Sequence, residues 1–214
     1  GSQQSKCGFP GRDNSAIQLW RAGVDHPGQI VCTGPKYQYS YSDGVHMNSG
    51  SYERLGEKYG EVFDLVVNQH VAWKPLGPNS ATRSGAVITI AMDVPNPPLN
   101  WDTTLVAPHK QAHTAWANGR GFEVIDGAGN ELVISAVQIA GNNIMVTLAQ
   151  TPAAGTAITL SYAAIQDNNL QMQGGTPAGA HGQLRDSDEL VSFDAETIAV
   201  LATSGSTQIR PVTA

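Results

Sequence analysis

Residues 121–149 read GFEVIDGAGNELVISAVQIAGNNIMVTLA. Apolar and polar side chains alternate in Gly121 to Ile125, Leu132 to Ile139 and Ile144 to Leu148, the period of a strand with one buried face. Asp126-Gly127 and Gly141-Asn142-Asn143 separate these runs with residues that tolerate positive φ, so hairpins are expected over 121–139 and 132–149. Working outward, Ala86 to Val94 (AVITIAMDV) and Ala157 to Tyr162 carry the same alternation. Short strands at about ten-residue spacing predict an antiparallel sandwich from Trp73 onward. The stretch Gln166 to Gly182, rich in Gly, Gln and Asn, reads as an exposed loop, and residues 203–214 as a frayed tail.

Before Trp73 the period changes. Tyr52, Leu55, Tyr59, Val62 and Val66 recur at spacings of three and four, which predicts one apolar stripe on a helix from about Gly50 to Gln69, capped by Asn48 or Ser49. Gln29 to Thr33, closed by Gly34 and Pro35, reads as a short buried strand, and Ser15 to Ala22 as a short helix. Charge shifts at the same place: residues 1–72 hold six basic and seven acidic side chains, and residues 73–214 hold six and eleven. The expected organisation is therefore a segment 1–72, a sheet domain 73–195 and a tail 196–214.

The 214 residues are 41% hydrophobic and 14% charged, a globular composition, and no apolar run approaches the ~20 residues that span a bilayer. Twelve basic against eighteen acidic side chains leave a charge of −6, which argues against nucleic acid or anionic membrane as the partner. Neutral or cationic surfaces, or sugars, fit better. Cys7 and Cys32 specify neither a metal cluster nor a disulfide framework; they are either a pair or, in the reading preferred here, unrelated thiols. Gly1-Ser2 reads as the remnant of a cleaved tag.

The segment Tyr41 to Gly60, YSDGVHMNSGSYERLGEKYG, resembles the last conserved block of the SGNH (GDSL-like) hydrolases, in particular the carbohydrate O-acetylesterases of the sialate acetylesterase kind. Asp43-Gly44-Val45-His46 matches the family's Asp-x-x-His, and Gly50, Tyr52 and Leu55-Gly56 follow as in the family's helix. Gln18 to Ala22 and Ile30 to Pro35 resemble the helix and last strand that lead into it. A bare Asp-x-x-His arises often by chance; without its flanks, Asp43 would belong to a turn with Gly44 and His46 would merely precede a helix cap. Ala117 to Val124 with Asp126-Gly127, and His181 to Ser187 (HGQLRDS), resemble the β-sandwich that follows the hydrolase domain in these esterases, including versions from bacteriophage tailspikes. The family's final block usually reads Arg-Gly-Asn-Leu-Arg-Asp-Ser, so His181 and Gln183 depart from it.

The resemblance implies a mixed fold: the C-terminal remnant of an α/β SGNH hydrolase domain, then a mainly antiparallel β-sandwich. It assigns catalytic roles to Asp43 and His46. A serine hydroxyl becomes nucleophilic when an imidazole takes its proton, and a carboxylate sets that imidazole's tautomer. No Gly-Asp-Ser block occurs in the chain, and 72 residues are too few for a several-stranded parallel sheet with its crossovers. The serine and the oxyanion donors are therefore expected in an upstream hydrolase segment, removed by truncation or carried on a separate chain. The 214 residues alone are expected to be nearly inactive. No cofactor or metal is implied.

Three readings follow. In the first, the chain is the C-terminal part of an esterase acting on acetylated polysaccharide, located in a virion tail if phage-derived and otherwise secreted or periplasmic. In the second, the sandwich binds a cell-surface glycan or receptor without catalysis. In the third, it is a structural module forming a homo-oligomer, a trimer if it comes from a tailspike. Trp101 and Trp116 are candidate sugar-stacking residues in the polar stretch from Asn100 to Gly119, and they serve equally as loop anchors over a small core. His109 and His113 lie four apart, but Pro108 and the lack of nearby carboxylates argue against a metal. Asp126, Asn130 and Glu131 are better read as a hairpin turn than as a calcium loop. Arg185 and Asp186 are read as structural, paired with each other or with the sandwich rim.

Overall fold

The first regular elements of the chain are a two-residue strand, β1 (Gly11–Arg12), and a helix, α1 (Asn14–Asp25). A second helix, α2 (Ser49–Phe63), runs on into a π-helical turn at Asp64–Asn68. Strands β2 (Gly77–Ser84), β3 (Val87–Asp93), β4 (Asn100–Trp101), β5 (Phe122–Asp126) and β6 (Glu131–Leu132) follow. The last are β7 (Ile134–Ala140), β8 (Asn143–Leu148), β9 (Ile158–Tyr162), β10 (Ile165–Gln166) and β11 (Leu184–Arg185). This is a computed structural model; it describes residues 11–12, 14–34, 39, 42, 46–104, 118–162, 165–166 and 182–188. The fold is mixed, mostly β-sheet with two helices.

Two antiparallel sheets, ordered β2-β3-β8-β7 and β6-β5-β9, carry most of the strands. Their inward residues form one cluster: Ile88, Ile90, Ile144, Val146 and Leu148 from the first sheet, Phe122, Val124, Leu160 and Tyr162 from the second. The alternation that predicted strands is the alternation of burial, as in β3 and β8, where every second residue is buried. The β7–β8 hairpin closes at Gly141-Asn142, with Ala140 opposite Asn143 and Gly141 at φ 61, a geometry that glycine adopts without strain.

The other expected hairpin is corrected. Only Glu131 and Leu132 pair with β5, whereas Ile134 already pairs with Leu148 in the other sheet. The chain changes sheets at Val133, which is 58% exposed and whose carbonyl accepts from Ala149 N–H at 2.8 Å. Such a corner lets one apolar run serve two sheets that share a core. Strand β2, GPNSATRS, has no hydrophobic period and lies at the sheet edge with most residues exposed. Backbone pairing with β3, which sequence periodicity does not register, makes it a strand.

The helical part differs from expectation at three points. Gln29 to Thr33 contains no strand; among the described residues no strand lies beside it, and a strand exists only through a ladder. Helix α2 is capped by Asn48, whose Oδ1 accepts from Ser51 N–H at 2.9 Å. It buries Ser51, Leu55, Lys58 and Val62 rather than the whole expected stripe. Tyr52 and Tyr59 stay 51% and 39% exposed, because they flank the covered face rather than lie in it. Helix α1, expected over Ser15 to Ala22, is longer and includes Gly23, where an added Cβ would lie 3.3 Å from Cys32 Cβ.

Candidate functional site

The candidate catalytic block is built on the N-terminus of α2. Met47 is buried with Tyr39 and Leu55, and Asn48 caps the helix, so the residue before them is held from its C-terminal side. That residue is His46. It is exposed, and its carbonyl accepts from Ser42 N–H at 2.8 Å and Ser42 Oγ at 3.0 Å. Those two bonds tie Ser42 to the His46 backbone. Asp43, the proposed partner of His46, lies outside the described residues, as does Trp116.

Trp101 is half-buried in β4, which pairs with β11 in the register Leu184 opposite Trp101. It packs against the main core, and the Arg120 guanidinium lies 5.0 Å from its ring centroid. Its surroundings are those of an anchor, with one ring face engaged by a cation. The neighbouring HGQLRDS segment meets the core at Gly182, where an added Cβ would collide with the hydroxyl of fully buried Tyr162. That hydroxyl accepts from Leu184 N–H at 3.1 Å, so glycine is the residue that fits.

Sequence reading did not reveal the charged joint beside it. Lys58, 1% exposed, donates to Asp188 Oδ2 at 2.6 Å and lies 2.5 Å from Glu61 Oε2. Its ammonium also sits 4.6 Å from the Trp73 ring centroid. The available signal was position: Lys58 falls on the Leu55–Val62 side of α2, where a solvated lysine has no place. Arg185 joins the same region, donating from Nη1 to Asp102 Oδ2 at 2.7 Å, from Nε to the Asp186 carbonyl at 3.0 Å and from Nη2 to the Asp188 carbonyl at 3.1 Å.

The electrostatics of the joint follow from burial. Desolvation pushes the Asp186 carboxyl up to about 6, against hydrogen bonds from Asp188 and Asn96 backbone N–H groups. Burial also raises Glu61, although Lys58 opposes it. For Asp102 burial is the largest single influence and acts upward, but hydrogen bonds from Thr104 and Arg185 together bring it below the usual carboxylate range. At the β5–β6 turn, Asp126 accepts from Ala128 N–H, Asn130 N–H and Asn130 Nδ2, so its carboxylate closes the turn. Among the described residues, no group of three or more His, Cys, Asp or Glu could hold a metal ion. His109 and His113 lie outside them. Cys32 is a buried thiol, and Cys7 is outside the described residues. No described helix is long and apolar enough to cross a membrane.

No family model and no curated protein matches the chain. Among solved structures, a carbohydrate acetylesterase from Xanthomonas citri matches over 100% of this chain and 39% of its own, at 11% identity and a TM-score of 0.52. The N-terminal part of the bacterial S-layer protein SbsC matches over 64% of this chain and 28% of its own, at 13% identity and a TM-score of 0.29. The chain thus spans well under half the length of either protein, and the likeness to the acetylesterase is one of fold.

Proposed function

We propose that the chain is the C-terminal part of a carbohydrate O-acetylesterase, with residues 1–72 completing an SGNH hydrolase domain and residues 73–195 forming a β-sandwich behind it. In the complete enzyme His46 takes the proton of a serine supplied by the upstream segment, and Asp43 holds the imidazole in the required tautomer. The serine oxygen attacks the acetyl carbonyl, the sugar hydroxyl leaves with the proton from His46, and water then releases acetate by the same route. The observation that carries this reading is the setting of His46, exposed at the head of a capped helix, with its carbonyl held by Ser42 and buried Met47 next to it. The fold likeness to a carbohydrate acetylesterase over the whole chain supports it.

The test compares two proteins on p-nitrophenyl acetate and on an acetylated polysaccharide. The 214 residues alone should stay at background, since one imidazole without nucleophile or oxyanion donors leaves several kcal/mol of barrier lowering unsupplied. The longer protein should turn over. In it, His46→Ala should cost several orders of magnitude in kcat and Asp43→Asn up to ~10⁴. A folded His46→Ala enzyme with near-normal kcat would remove the assignment.

A further inference from the structure

A cleft of about 550 Å³ lies where α1 and the 27–32 segment meet the 72–79 segment and the end of β3. Its size falls within the ~300–1,000 Å³ of pockets that hold small molecules, and such pockets favour junctions of this kind. The walls are largely apolar, with Trp20 and Trp73 among them and a polar group of Lys74, Asn79 and Asp93 at one part. We propose that this cleft binds a neutral saccharide, separately from the catalytic block.

Three features make it a built site. First, Trp73 is held from both directions: its Nε1 donates to the Cys32 carbonyl at 3.1 Å and its ring carries the Lys58 ammonium. Trp73 is one of the cleft walls and Lys58 is not. A fixed indole offers the apolar surface on which the C–H face of a pyranose stacks, at little entropic cost. Second, β2 and β3 slip register between Pro78 and Ser80. This leaves Asn79 out of the pairing and turns its side chain to Asp93, with Nδ2 donating to Oδ1 at 3.1 Å. Lys74 Nζ reaches Oδ2 at 3.1 Å. Bulges re-aim side chains in this way beside functional sites.

Third, the polar group has the mixed character that vicinal hydroxyls require. A carboxylate has about four acceptor positions and two of these are used, the Asn79 carbonyl oxygen accepts, and the Lys74 ammonium keeps further protons to donate. Lys74 and Asp93 cancel in charge, so the group favours a neutral ligand over an acidic sugar. This inference goes beyond the esterase reading and stands or falls without it, because it needs neither the serine nor His46.

The test is a tryptophan-fluorescence titration of the 214-residue protein with neutral gluco-, galacto-, manno- and N-acetylglucosamine oligosaccharides, with a sialylated oligosaccharide alongside. At least one neutral series should give a saturable change. Asn79→Ala and Trp20→Ala, each checked for an unaltered thermal melt, should weaken it at least tenfold, and Trp101→Phe should leave it unchanged. Amide NMR shifts on the unaltered protein provide a second readout, expected at residues 72–79 and 93. Silence with every neutral series, binding of the sialylated sugar only, or shifts confined to residues away from the cleft would overturn the proposal.

Discussion

The sheets between Gly77 and Tyr162 and the helices before residue 72 are built from similar proportions of apolar side chains but bury them to different extents. In the sheets, Ile90, Val124, Ile144, Val146, Leu160 and Tyr162 are 0% exposed. Of the nine exposed large hydrophobic residues among those described, eight precede residue 72: Leu19, Val24, Ile30, Tyr52, Tyr59, Phe63, Val67 and Val71. The two sheets supply apolar faces to each other and close a core. The helices are covered on one side only. Tyr52, Tyr59 and Phe63 follow spacings of seven and four along α2, a line beside its buried face.

The largest effect that could break this contrast comes from the sheet core. Ile144→Ala, in a central strand at 0% exposure, should cost about 2–5 kcal/mol in denaturant unfolding. Tyr52→Ser, at 51% exposure, should stay within about 0.5 kcal/mol in the same measurement. Equal losses would mean that the helices are as closed as the sheets.

A smaller effect is expected at the joint that fastens one region to the other. Lys58→Met leaves Asp188 and Glu61 without their cation. The loss should be about 2–3 kcal/mol, below the ~3–5 of a fully buried pair, because Glu61 is 33% exposed. Limited proteolysis should then cut between 63 and 77 sooner than in the parent protein, while the β7–β8 hairpin stays intact. Unchanged cutting would show that Lys58 does not fasten α2.

The smallest effect is a pH dependence. Asp186 titrates near 6 in the folded protein against an ordinary 3.8, so between those values the folded state binds more protons than the unfolded state. Stability from this group is therefore fully present below pH ~4 and is lost as pH rises through 6. Acidification from pH 7 to 5 should raise stability by about 1 kcal/mol, or roughly 2–4 °C in Tm. Glu61, also raised by burial, acts in the same direction, and Asp102, held low, weakens the fold only at still lower pH. Asp186→Asn should flatten the rise. A Tm that falls steadily over this interval in the parent protein would count against a buried, desolvated Asp186.

What sequence alone determined was local. Alternation in Val87–Asp93, Asn143–Leu148 and Ile158–Tyr162 is visible because a strand with one buried face repeats every two residues, and Asn48 ahead of α2 is visible because a cap is a contact three residues long. The block around His46 rests on resemblance, and Asp43, its proposed partner, lies outside the described residues. Tertiary structure decided everything that depends on a distant neighbour. Strand β2 exists through the β3 edge, Gln29 to Thr33 is no strand among the described residues for want of a ladder, and the chain changes sheets at Val133 because two sheets share one core. Lys58 meets Asp188 across 130 residues, and the cleft beside Trp73 and Asp93 is walled by segments about 70 residues apart. Periodicity records how a residue relates to its own element, whereas pairing, ion contacts and cavities are properties of surfaces that meet only after the chain has folded.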